Sequence, residues 1–85
     1  MNVKVSKELL EDLCAKINEL VDSHSHTKYR FSVDIKINAR KNMIYNVQVS
    51  EGNEEWFLFG GHMPKTALYT KLCSFRMGME YGVAL

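Results

Sequence analysis

From Tyr29 to Val49 the chain alternates apolar and polar residues. Tyr29, Phe31, Val33, Ile35, Ile37 and Ala39 occupy odd positions, and so do Met43, Tyr45, Val47 and Val49. A period of two marks a strand with one buried face, so two strands are predicted, with their odd residues on the same side of a sheet. Residues opposed in an antiparallel pair share a constant index sum. Pairing odd with odd makes that sum even, which requires a hairpin loop with an odd number of residues. Arg40-Lys41-Asn42 fits as a three-residue loop, with Asn42 in the left-handed position such loops need.

The next turn reads "EGNE". A two-residue Gly52-Asn53 loop, or a four-residue loop from Glu51 to Glu54, makes the index sum odd, so that Val49 faces Trp56 and Val47 faces Leu58. Trp56 and Leu58 are then expected to point to the core. Phe57 and Phe59 are expected on the opposite face, beside Gln48 and Asn46. An odd loop would reverse this, but Gly-Asn is a hairpin signal and favours the even one.

Helical spacing brackets the strands. Ser6 is placed to cap a helix from about Lys7 to Val21, with Glu8 in its first turn and Val5 and Leu10 as a hydrophobic staple. Leu10, Leu13, Ile17, Leu20 and Val21 form its apolar stripe, and the polar run "DSHSHT" is expected to end it. Gly60 and Gly61 break the third strand. Pro64 suits the start of a second helix, whose stripe is Leu68, Leu72, Phe75 and Met79, with Tyr69 and Cys73 alongside. Gly78 either ends that helix or marks close packing, and the segment from Met79 to Leu85 reads as a last turn and tail. The expected fold is a single α+β domain over residues 1–85. It has two layers, helix–three-stranded antiparallel meander–helix, with both helices against the odd-residue face.

Composition changes this picture little. The 85 residues are 46% hydrophobic and 25% charged, ordinary values for a small globular chain, and the net charge is only +1. The charge is unevenly spread: residues 25–50 carry a net +4 and residues 51–63 a net −3. Lys4, Lys7 and Glu8 interrupt any apolar leader, and no stretch approaches the ~18 apolar residues of a membrane span. Cys14 and Cys73 both fall within apolar helical patterns. They are expected to be buried thiols in a reducing compartment, which makes a cytoplasmic location the expectation.

Chemistry is sparse. The chain has no nucleophile elbow, phosphate loop, metalloprotease motif or dinucleotide fingerprint. His24 and His26 lie two apart, and His62 sits in a glycine-flanked loop, but the paired cysteines of a structural zinc site are missing. All three histidines are expected in solvated loops. No catalytic residue, metal or cofactor is assigned, and the protein is expected not to be an enzyme.

The polar face of the sheet is the remaining candidate. Arg30, Lys36, Arg40 and Lys41 give it positive charge, and Ile44, Phe57 and Phe59 give it apolar surface. Aromatic residues with arginine suit a protein interface or self-association, while bases near exposed rings also suit a nucleic-acid strand. Lysine on such a face serves a further purpose, since it discourages strand edges from pairing. The order helix–three strands–helix resembles that of the double-stranded RNA-binding domain across nearly the whole chain. That family sets a lysine cluster at the start of its last helix and a histidine in a longer first hairpin loop. Here Lys65 and Lys71 stand six apart and the loop has no histidine, so the resemblance covers element order and carries over no RNA-binding residues. The reading favoured by these features is a small non-enzymatic binding or regulatory protein acting through a macromolecular contact. Chains of this size are common among phage and mobile-element accessory proteins. Nucleic-acid binding through the same face is the alternative.

Overall fold

Ser6 opens the first helix: its Oγ accepts the Leu9 N–H at 3.1 Å, and the flanking Val5 and Leu10 are both buried, as a hydrophobic staple requires. The structure, a computed structural model, describes residues 4–24 and 28–81. Its elements are α1 (Lys7–His24), β1 (Arg30–Ile37), β2 (Met43–Glu51), β3 (Glu54–Phe57) and α2 (Lys65–Glu80). The strands form an antiparallel sheet in the order β1-β2-β3, so the fold is the expected α+β helix–meander–helix. α1 runs almost one turn past Val21, because Asp22, instead of turning the chain, meets Arg30 of β1 at 2.9 Å. The His24-Ser25-His26 motif lies outside the described residues, except for the backbone of His24.

The first hairpin has the predicted parity but a shifted register. Phe31 faces Val49, Val33 faces Val47 and Ile37 faces Met43. The loop is therefore Ala39-Arg40-Lys41, one residue earlier than expected, and the left-handed residue is Lys41 (φ 62°), not Asn42. Asn38 explains the shift. Its Oδ1 accepts the N–H groups of Arg40 and Asn42, each at 2.9 Å, so the side chain organises the turn from its first corner. The second hairpin follows expectation. Gly52 and Asn53 make the loop, with Gly52 at φ 60°, and Val49 faces Trp56.

The odd face of the sheet is the core face. Phe31, Tyr45, Val47 and Val49 pack with Leu10, Leu13, Cys14, Ile17 and Val21 of α1 and with Leu68, Leu72 and Met79 of α2. Coverage fades towards the first hairpin tip: Val33 and Ile35 are half-buried, Ile37 is 71% exposed and Met43 is 52% exposed. The expectation that every odd residue would be buried therefore fails at the tip, where the helical layer no longer covers the hairpin. Trp56 also departs from expectation. It pairs with Val49 on the core face but stands at the rim of the sheet, 40% exposed, with its ring edge-on to Tyr29 at 5.7 Å, whereas Leu58 does reach the core. Gly78 lies within α2, which continues to Glu80.

Cys14 is buried, but Cys73 is only half-buried. Cys73 hydrogen-bonds Tyr69 and so raises that phenol's pKa. Burial, helped by the charge of Glu11, pushes the Cys14 thiol from 9.0 up to about 12. A pKa raised by folding costs nothing below the unfolded value. Above about pH 9 the unfolded chain ionises first, so stability falls until about pH 12, by at most about 1.4 kcal/mol per pH unit for this thiol. Urea titrations at about pH 8 and about pH 10 should show this loss, and Cys14→Val should reduce it. Tyr69 shifts in the same direction and leaves part of the loss in place.

Candidate interaction site

After Leu58 the chain leaves the ladder. The Leu58 N–H donates to the Val47 carbonyl at 2.9 Å, and a regular strand would next set Gly60 opposite Tyr45. Met63 takes that place instead: the Tyr45 N–H donates to the Met63 carbonyl at 2.7 Å, and the Met63 N–H returns a bond at 2.9 Å. The segment 59–62 is thereby displaced from the ladder and lies against the polar face.

Asn46 holds this excursion in place. It is a polar residue at an even position and is fully buried. Its Nδ2 donates to the Phe59 carbonyl at 3.0 Å, while its Oδ1 accepts the Val47 N–H at 2.7 Å and the Phe59 N–H at 3.4 Å. The side chain thus satisfies backbone groups that the interrupted ladder leaves over. His62 fixes the far end. Its Nε2 lies 2.7 Å from Oδ2 of Asp34, and its side chain is only 8% exposed. The Phe57 ring meets the imidazole edge-on at 4.8 Å, and the Lys36 Nζ stands 5.1 Å from the centre of the Phe57 ring. The expected solvated loop at His62 is instead a packed clamp.

This geometry divides the seven predicted interface residues among several places. Lys36, Ile44 and Phe57 share the polar face: Lys36 is opposite the half-buried Ile44. Phe59 does not join them. It packs against the core with the Lys71 Nζ 5.6 Å from its ring centre, because the chain has already left the strand where alternation would have aimed it outward. Arg30 sits at the opposite end of β1, paired with Asp22. Arg40 and Lys41 lie at the exposed hairpin tip. The polar face carries both signs and is tied together by its own contacts, since the His62 Nε2 lies 2.7 Å from Asp34 and Gln48 donates to Glu55 at 2.8 Å.

The tip differs. Among the described residues no carboxylate pairs with Arg40, Lys41 or Lys65. Between the hairpin and α2 lies an open groove of ≈ 430 Å³. Met43 and Tyr45 supply its apolar wall, Lys41 and Asn42 one rim, and Pro64, Lys65 and Thr66 the other. The first turn of α2 has no acidic residue and no side-chain cap, so its N–H groups add to the positive potential there. Alternation alone could not reveal this site, because it joins a hairpin tip to a helix start over 20 positions away in the chain. A second cleft, of ≈ 310 Å³ between the helices, is lined by residues of both signs and includes the Arg76–Glu80 pair at 3.0 Å.

Among the described residues no group of three His, Cys, Asp or Glu side chains is placed to hold a metal ion. No described helix is long and apolar enough to cross a membrane. Compared with protein-family models, with curated proteins and with solved structures, the chain matches none.

Proposed function

We propose that the protein is a non-enzymatic binding module of accessory or regulatory type, and that its tip groove takes an acidic, apolar segment of a partner protein. The observation that carries this reading is the half-exposed Met43 beside Tyr45 in a groove whose charged lining, among the described residues, is Lys41 and Lys65. Exposed apolar surface on a small domain marks a contact site, and a cationic rim selects a partner bearing carboxylates. The groove is shallow, so the contact falls in the small, transient class below about 1,200 Å². The two free thiols fit a reducing compartment such as the cytoplasm.

The unpaired Arg40, Lys41 and Lys65 favour one other reading, a nucleic-acid strand at the same tip. The methionine and tyrosine wall supports the protein partner instead. Fluorescence anisotropy separates the two, using a labelled peptide of alternating leucine and glutamate and a labelled oligothymidylate. Met43→Glu should weaken the peptide at least about tenfold, or about 1.4 kcal/mol, by burying a charge against charges of its own sign. Tighter binding of the oligonucleotide, with a steep loss on adding salt, would instead support the nucleic-acid reading.

A further inference from the structure

β1 is an edge strand of eight residues, and its outer edge is open along the half nearest the tip. The direction of its backbone groups follows from the ladder. On β2, the N–H and C=O groups of odd residues point to the β3 side, as the Val47 and Tyr45 bonds show. The even residues of β2 therefore bond β1, and on β1 the odd residues point outward. Phe31 confirms this: its N–H donates to the Asn18 Oδ1 at 2.8 Å, and its carbonyl accepts from the Asn18 Nδ2 at 3.1 Å. A carboxamide from α1 thus closes the edge at Phe31. Among the described residues nothing does the same for Val33, Ile35 or Ile37. The other edge, β3, is only four residues long and begins with Glu54 and Glu55, both of which discourage pairing.

We infer that the open half of β1 pairs with β1 of a second copy of this chain, antiparallel, about a two-fold axis at Ile35. The charges on the strand select this register. With Ile35 opposite its own copy, Val33 of each chain faces Ile37 of the other in hydrogen-bonded pairs. Asp34 of each then faces Lys36 of the other in the closer, non-hydrogen-bonded pairs. Moving the axis to Asp34 sets two aspartates face to face, and moving it to Lys36 sets two lysines face to face. The Asn18 carboxamide ends the ladder at Phe31, so the pairing is short. Ile37, 71% exposed in the single chain, gains an apolar neighbour, and the two sheets join as one of six strands. Asp34 keeps one carboxylate oxygen on His62, and its other oxygen is free for the lysine. The lysine that would guard a lone edge here specifies the register of a paired one. This inference does not depend on the tip groove, whose walls come from β2, the hairpin loop and the start of α2.

Sedimentation equilibrium of the unmodified protein from micromolar to millimolar concentration tests it. The mass should rise from the 9.8 kDa of one chain to twice that. Lys36→Asp alone, and Asp34→Lys alone, should each remain monomeric, since each sets like charges opposite one another. An equimolar mixture of the two variants should recover the dimer, because every facing pair is again of opposite sign. A protein that stays monomeric at millimolar concentration overturns the inference, and so does a dimer that persists in both single variants. Amide exchange of the unmodified protein gives a reading free of any folding defect in the variants. The Val33, Ile35 and Ile37 amides should become protected as concentration rises, and unchanged exchange in a sample that does dimerise places the contact elsewhere.

Discussion

Val47→Asp is expected to abolish cooperative folding. Val47 lies at the centre of the sheet, fully buried, opposite Val33 on one side and bonded to Leu58 on the other. A carboxylate there has no cationic partner, and an unpaired charge in the core costs more than most single substitutions. A chain of 85 residues has a stability of roughly 4–13 kcal/mol in total, at ~0.05–0.15 kcal/mol per residue. Circular dichroism in a urea series should show no folded baseline. A variant that melts like the parent would place Val47 outside the core.

Asn46→Leu comes second in effect. The substitution keeps the approximate size but removes every polar atom from a fully buried position. Both backbone groups of Phe59 and the Val47 N–H then lose the partner they have now. Leaving buried polar groups unsatisfied costs about 1–3 kcal/mol each, less whatever water recovers. A loss of about 3 kcal/mol is therefore expected, read as a lower urea midpoint with an unchanged slope. The His62 ring resonances should change as well, since the loop carrying His62 is held at its other end by Asn46. A loss below about 0.5 kcal/mol would show that the loop does not need this anchor.

These two residues also show how far the sequence could be read. Val47 was legible because alternation is a local property. One odd residue fixes the face of every other in its strand, and parity extends that to the partner strand. The Gly52-Asn53 turn carried the same logic to β3, so the places of Trp56 and Phe57 relative to β2 followed from index sums alone. Asn46 was not legible. It occupies a polar position in a polar place by the pattern, and only the displaced loop at 59–62 buries it. The Gly60-Gly61 pair announced that the strand stops, but not where the chain goes next.

The same limit separates the interface expected from alternation from the one proposed at the tip. Phe57 and Lys36 do meet, as alternation required, but His62 and Asp34 fill the space beside them, and Phe59 has left for the core. The tip groove arises where Met43 of the hairpin approaches Lys65 and Thr66 of α2, a contact between distant segments that no local pattern encodes. Loop position depended on detail of a similar kind. Asn42 looked like the natural left-handed residue, yet the hydrogen bonds of Asn38 move that role to Lys41.

The proposal that the tip groove, and not the polar sheet face, is the working surface is tested most directly by mapping it. Backbone amide shifts of the unmodified protein should be followed while the leucine–glutamate peptide is added. Changes should centre on Lys41, Met43, Tyr45, Lys65 and Thr66, with Ser32, Gln48 and Phe57 unmoved. Shifts centred on Lys36, Gln48 and Phe57 instead, or none anywhere at millimolar peptide, would contradict it.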